Sequence, residues 1–207
     1  GGALKFENNA RLVQINDNTT NIANITYMRS NYTTRETDYT YWSSPVTGQI
    51  LKNVSIKTPS DFFYSFNAVV DDWNQEDSAN TMTIGLGYII RGPHYETIPP
   101  PGFYEAPFQG VPNNGSVYVT IPSLGRETSN LIGNPYPSAL NADLFLTTNS
   151  SVLDGTLYFW THNTAMGIGV SNPGTGVYAY SSDDYATYNL TGGTATRIGN
   201  FVGGVEQ

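Results

Sequence analysis

The chain has 207 residues, of which 13% are charged, 13% are aromatic, 21 are glycine and 12 are proline. Helical proteins need alanine, glutamate and lysine on their surfaces, whereas this composition favours strands and turns, so a mostly helical protein is excluded. The formal net charge is −8 and no basic run occurs, which excludes nucleic acid as the expected partner. The absence of cysteine excludes disulfides and thiolate chemistry, and no apolar stretch is long enough to predict membrane insertion.

Short apolar or alternating runs, separated by turn residues, recur along the whole chain. They predict an all-β protein, an antiparallel β-sandwich of the jelly-roll kind. In chain order the runs with strand character are 11–15, 24–29, 38–43, 61–70, 81–91, 116–121, 156–162 and 176–181. The clearest is 116–121, in which Val117 and Val119 alternate with Tyr118.

One short helix is predicted near residues 138–146. Ser138 follows a proline and supplies a capping side chain, and Leu140 and Leu144 are four residues apart, the spacing of neighbours on a helix face.

Two regions are expected. Residues 1–30 are rich in asparagine and threonine and are interpreted as an N-terminal β segment, either the end of a repetitive β region or an exchange strand. Residues 31–207 are interpreted as the β-sandwich domain. No change of composition marks a linker within them.

Catalytic motifs are missing. The two histidines, His94 and His162, have no metal-ligand spacing between them, and no G-x-S-x-G elbow is present for a serine nucleophile. Pairs of carboxylates for glycoside hydrolysis remain open, because such partners need only meet in space. The sequence therefore predicts a protein that is not an enzyme.

The acidic segment 71–80 is the one candidate for a metal ion. Asp71, Asp72 and Asp77 offer oxygen ligands suited to calcium, but they lack the alternate-position spacing and central glycine of a calcium loop. A solvated acidic turn is the alternative, and no other cofactor is predicted.

Aromatic side chains suggest a binding surface, since flat rings stack on the C–H faces of sugars while tyrosine hydroxyls reach sugar hydroxyls. Trp42 and Trp160 lie in apolar runs and are expected in the core. Trp73 lies between Asp72 and Asn74 in a polar segment, so it is the first candidate for carbohydrate binding. Tyr95 and Tyr104, both in predicted loops, are the other two.

Several motifs resemble a module of secreted, multidomain surface proteins of flavobacteria and their relatives. They lie at 39–46 (YTYWSSPV), 82–91 (MTIGLGYIIR), 130–140 (NLIGNPYPSAL), 155–163 (GTLYFWTHN) and 180–193 (YSSDDYATYNLTGG). Such modules commonly precede a C-terminal sorting domain for type IX secretion. The resemblance implies a secreted, cell-surface protein of the adhesin kind and brings no catalytic residues with it.

The leading hypothesis is a noncatalytic extracellular cell-surface protein acting in adhesion or as a structural subunit. The alternative is a carbohydrate-binding module attached to a secreted polysaccharide-degrading enzyme, and a hydrolase is the third hypothesis. Expected partners are other copies of the chain, surface proteins and glycans. Asp77-Ser78-Ala79 matches the acceptor motif of the resembled group for O-glycosylation, so Ser78 is the candidate acceptor.

The resembled modules continue beyond the glycine-rich segment with a further apolar strand, before which this chain stops. A sandwich without its final strand leaves an unpaired edge. We expect that residues 4–15 of another copy fill that edge, which would build a head-to-tail assembly, that residues 201–205 fold back onto it, or that the missing strand has been cut from the chain.

Overall fold

A computed structural model describes residues 4–94, 102–125, 128–165 and 184–195. Contacts divide the chain into two units, residues 1–139 and 140–207. The position after residue 30 lies inside a long strand, Ile25–Thr34, whose neighbours on both sides belong to the first unit, and the division predicted there stays a prediction.

In the described part of the first unit there are eight strands and one short helix. The strands are β1 (Leu4–Phe6), β2 (Ile25–Thr34), β3 (Tyr39–Trp42), β4 (Val46–Thr47), β5 (Phe63–Asn67), β6 (Asp72–Gln75), β7 (Tyr88–Arg91) and β8 (Gly102–Pro112), and helix α1 is Leu51–Val54. They form two four-stranded sheets, with strand orders β1-β2-β8-β4 and β3-β7-β5-β6. All pairings are antiparallel except β1 with β2, which is parallel.

The core of this unit lies between the two sheets. Its buried residues come from both sheets, from α1 and from the segment between β6 and β7, and they include Ile25, Tyr27, Val46, Leu51, Val54, Phe63, Met82, Tyr88, Ile90, Ala106 and Phe108. Trp42 of one sheet approaches Phe108 of the other, with ring centroids 6.0 Å apart, and packs against the core as expected. The predicted all-β sandwich is confirmed.

The second unit contains a helix, α2 (Ala142–Thr148), and a three-stranded antiparallel sheet in the order β11-β10-β9. The strands are β9 (Thr156–Trp160), β10 (Tyr185–Asn189) and β11 (Gly192–Thr194). Within this unit the Tyr188 hydroxyl donates to Asp143, and that hydrogen bond raises the pKa of Tyr188.

The predicted helix begins later than expected. Its N-cap is Asn141, whose side chain accepts a hydrogen bond from the Leu144 backbone N–H at 2.9 Å, rather than Ser138. Leu140 precedes the helix and Leu144 is exposed, whereas Leu146 is the buried residue. The prediction that Leu140 and Leu144 form the buried face of the helix is therefore wrong. The helix begins three residues later than Ser138 predicted, so Leu140 is not part of it.

Two predicted strands are not strands. In 116–121 the side chains of Val117 and Val119 are half-buried and pack on Gly85, as the alternation indicated, but the segment has no ladder partner among the described residues. In 11–15 the apolar Val13 and Ile15 are exposed. Alternation selects a face but does not supply a neighbouring strand.

Six strands lie outside the predicted runs, namely β1, β4, β6, β8, β10 and β11, and β8 and β6 show why. Strand β8 contains Pro107, and proline usually argues against a strand because it has no backbone N–H to donate. Since β4 pairs only with the last two residues of β8, Pro107 removes no hydrogen bond from the β4–β8 ladder. The predicted acidic loop contains β6, which forms a hairpin with β5. The predicted strand 176–181 lies outside the described residues.

The Asn-Pro-Tyr-Pro motif forms a corner that joins several segments of the first unit. The backbone oxygen of Pro135 accepts a hydrogen bond from buried Asn113, and that of Pro137 accepts one from the Leu12 N–H. The Tyr136 hydroxyl donates to the Gly115 carbonyl at 2.5 Å, and burial raises the pKa of Tyr136. The motif thus acts as a structural junction.

The N-terminal segment is paired within its own chain. Leu4, Lys5 and Phe6 of β1 lie opposite Ile25, Thr26 and Tyr27 of β2. Donation of this segment to another copy would first have to break that ladder, and strand exchange stays a prediction. Among the described residues, no helix has the length and apolar character needed to cross a membrane.

Candidate functional site

The sheet β3-β7-β5-β6 has two different faces. In a strand, side chains alternate between faces, so Phe63 of β5 and its partner Ile90 of β7 point one way. Both are fully buried in the core. Tyr64 and Phe66 of β5 therefore belong to the opposite face, together with Ile89 of β7, which pairs with Tyr64.

That opposite face is aromatic. Its aromatic side chains, which we call the aromatic face, are Tyr39, Tyr41, Tyr64, Phe66 and Trp73. Phe66 and Trp73 lie directly opposite each other in the β5–β6 hairpin, and Tyr41 lies opposite Ile89. Ile89 is only 7% exposed although it faces away from the core, and its cross-strand partners are Tyr41 and Tyr64.

Trp73 lies between two other rings. Its centroid is 5.1 Å from that of Phe66 and 6.1 Å from that of Tyr41, and both pairs have edge-to-face geometry. A second pair, Tyr39 and Tyr64, has centroids 6.0 Å apart. Trp73 is 36% exposed, while the other four are half-buried. The indole ring is thus held in place and still accessible.

A polar group lies at one end of the aromatic face. Arg91 of β7 is the cross-strand partner of Tyr39, and its guanidinium carbon lies 4.2 Å from the centroid of Phe62. Its Nε–H donates to the Glu36 backbone oxygen at 2.9 Å. The Glu36 carboxylate in turn contacts His94 Nδ1 at 2.7 Å.

The structure separates the three predicted carbohydrate contacts. Trp73 is part of the aromatic face. Tyr104 belongs to β8 in the other sheet, where its hydroxyl donates to the Val54 carbonyl at 2.5 Å and its ring packs against the core, so it is not brought together with Trp73. Tyr95 lies outside the described residues.

The acidic candidates are spread along one hairpin and the turn after it. Asp71 lies in the β5–β6 turn with φ +53°, Asp72 accepts a hydrogen bond from the Trp73 N–H, and Asp77 accepts one from the Ala79 N–H. In the part of the chain that the structure describes, no group of three or more histidine, aspartate or glutamate side chains could hold a metal ion. The calcium site stays a prediction without geometric support.

Ser78, the candidate glycosylation site, lies in the turn after β6. It is half-buried, and its backbone oxygen accepts a hydrogen bond from the Lys52 N–H at 2.9 Å. Glycosylation at this serine stays a prediction.

Sequence reasoning missed four members of the aromatic face. The alternation of Tyr39 with Tyr41, and of Tyr64 with Phe66, was the signal that could have found them, since residues two apart in a strand share a face. It was not decisive, because apolar residues in strands are usually assigned to the core.

The fold and this surface define an all-β protein with one sheet face on the core and the other covered by aromatic rings. The chain belongs to the family described as a domain of unknown function, DUF8693, whose model matches residues 1–206. No curated protein and no solved structure matches the chain.

Proposed function

We propose that this chain is a noncatalytic extracellular module that binds neutral polysaccharide through its aromatic face and so mediates adhesion. The observation that supports this most is the position of Trp73, which is fixed between Phe66 and Tyr41 and yet accessible. The outer face of an antiparallel sheet is ordinarily polar, so five aromatic side chains there need a reason other than the core. Stacking on sugar rings provides one.

The charge of the chain favours an uncharged glycan. With a formal net charge of −8, the protein repels anionic polymers such as alginate over the range of a Debye length. Neutral polysaccharides meet no such repulsion. The resemblance to secreted surface modules supports an extracellular setting, whether in an adhesin or, as the alternative, beside a polysaccharide-degrading enzyme.

Replacing Trp73 by alanine should weaken polysaccharide binding about tenfold, because the loss of one stacking ring removes about 1–1.5 kcal/mol. The measurement is affinity electrophoresis in gels that contain xyloglucan, galactomannan or arabinoxylan, with alginate as the anionic comparison. Trp73 lies in an edge strand, so circular dichroism should stay unchanged.

The matched control is Tyr118→Ala, since Tyr118 is 92% exposed and lies in a segment that is not part of this sheet. The proposal is refuted if neutral polymers retard the Trp73 variant as strongly as the Tyr118 variant. It is also refuted if none of the neutral polymers retards the wild-type protein.

The structural-subunit hypothesis is the second candidate, and exposed apolar residues near the N-terminus favour it. Val13 is 70% exposed, Ile15 96% and Ile22 91%. A contiguous exposed apolar patch commonly marks a protein contact, and if these side chains form one, its occupant under this hypothesis is another copy of the chain.

If these residues join copies of the chain, the double variant Ile15→Asn, Ile22→Asn should be monomeric in light scattering at concentrations where the wild type forms larger species. The matched control is Leu124→Asn, since Leu124 is exposed elsewhere in the same unit. A wild type that is already monomeric would exclude this hypothesis.

A further inference from the structure

We infer that Arg91, Glu36 and His94 form a polar subsite that recognises adjacent free hydroxyl groups of a sugar unit on the aromatic face. This inference rests on the proposed function and specifies which glycans the surface selects. Arg91 follows Ile89 by two residues in β7 and pairs with Tyr39, so it belongs to the same sheet face as the aromatic rings. We call these three residues the polar subsite.

The guanidinium group is held on two sides. Phe62 stacks against it at 4.2 Å, and Nε donates to the Glu36 backbone oxygen. Its Nη2 lies 3.8 Å from Glu36 Oε1, which is too long for a hydrogen bond. Neither terminal nitrogen of Arg91 has a hydrogen bond within the described residues, and the side chain is 21% exposed. A fixed donor is therefore available for a ligand.

Glu36 supplies the acceptor beside that donor. Its Oε1 is occupied by His94 Nδ1 at 2.7 Å, whereas its Oε2 accepts no hydrogen bond from a described residue. The side chains of Glu36 and His94 are 30% and 55% exposed. His94 thus orients the carboxylate while solvent still reaches it.

A donor and an acceptor side by side match the chemistry of two neighbouring hydroxyls. Each hydroxyl can donate one hydrogen bond and accept others, so one can accept from Arg91 while the next donates to Glu36. Hydrogen bonds to charged groups are the stronger ones, which makes such a pair selective. An O-methylated sugar keeps its stacking face but cannot donate to Glu36.

The test compares xyloglucan, galactomannan and arabinoxylan before and after O-methylation, again by affinity electrophoresis. We expect Glu36→Gln and Arg91→Lys each to weaken binding to the unmodified polymer about tenfold, as loss of a charged hydrogen bond predicts. On the methylated polymer the wild type should bind weakly, and Glu36→Gln should bind as the wild type does, because a methyl ether has no hydroxyl to donate to Glu36.

The matched control is Glu7→Gln, which makes the same change of charge as Glu36→Gln. Glu7 is exposed, directly follows β1 and pairs with Lys5. Glu36→Gln and Arg91→Lys variants that bind as the Glu7 variant does would overturn the inference. An equal loss for Glu36→Gln on both polymer forms would also overturn it, because it would indicate a purely structural role. In both cases the Trp73→Ala variant tests the proposed function separately. If Trp73→Ala does not weaken binding, the proposed function and this inference are both refuted.

Discussion

Replacing Phe63 by alanine should lower the free energy of unfolding of the first unit by about 3–5 kcal/mol. Phe63 is fully buried at the centre of the core between the sheets, and the Lys52 ammonium lies 5.8 Å from its ring centroid. Truncation removes a large apolar surface and leaves a cavity that two hydrogen-bonded sheets cannot close.

Denaturant unfolding followed by tryptophan fluorescence measures this effect. A Trp160→Phe background leaves Trp42 and Trp73, both in the first unit, as the only reporters among the three tryptophans. The control is Phe103→Ala, because Phe103 is 49% exposed in the same unit and should cost much less. Equal losses for the two variants would contradict a core centred on Phe63.

Replacing Asp38 by asparagine should destabilise the same unit by about 3 kcal/mol. Asp38 is fully buried, and its carboxylate accepts hydrogen bonds from the Arg35 backbone N–H at 2.8 Å and from the Arg35 guanidinium at 3.1 Å. Its backbone oxygen also accepts one from the Gly92 N–H, which ties this turn to the end of β7. Removing the charge leaves a cation in a site that is only a quarter exposed.

The control for this variant is Asp61→Asn, which makes the same change of charge at an exposed residue. Denaturant unfolding in the same Trp160→Phe background compares the two. If Asp38→Asn is no less stable than Asp61→Asn, the buried carboxylate contributes nothing through its charge, and the turn is held by its backbone bonds alone.

The turn that contains Asp38 bears on the polar subsite as well. Glu36 lies within this turn. Arg91 is the last residue of β7, next to Gly92, whose N–H donates to the turn. Glycine is required at 92, because a Cβ there would overlap the backbone oxygen of Arg35. The distance between Glu36 and Arg91 is therefore set by backbone packing rather than by the ion pair itself.

Local sequence pattern was sufficient to predict the all-β class, segments that overlap β2, β3, β5, β7 and β9, and the position of Trp73 outside the core. It failed where the outcome depends on a partner strand. In residues 116–121 apolar and polar side chains alternate, but the segment pairs with no strand among the described residues. Strand β8 contains proline and glycine and nevertheless pairs with β2 and, at its end, with β4. Pairing is a contact between distant segments, so no local pattern reports it.

The candidate site shows the same division. The polar neighbours of Trp73 marked it as a surface residue, since nothing around it formed a core pattern. Its contacts with Phe66 and Tyr41, and the exclusion of Tyr104, depend on the β5–β6 register and on the assignment of β8 to the other sheet. Chemical character is a property of each residue and can be taken from sequence. The shared face of five rings exists only because hydrogen-bond register aligns three separate segments.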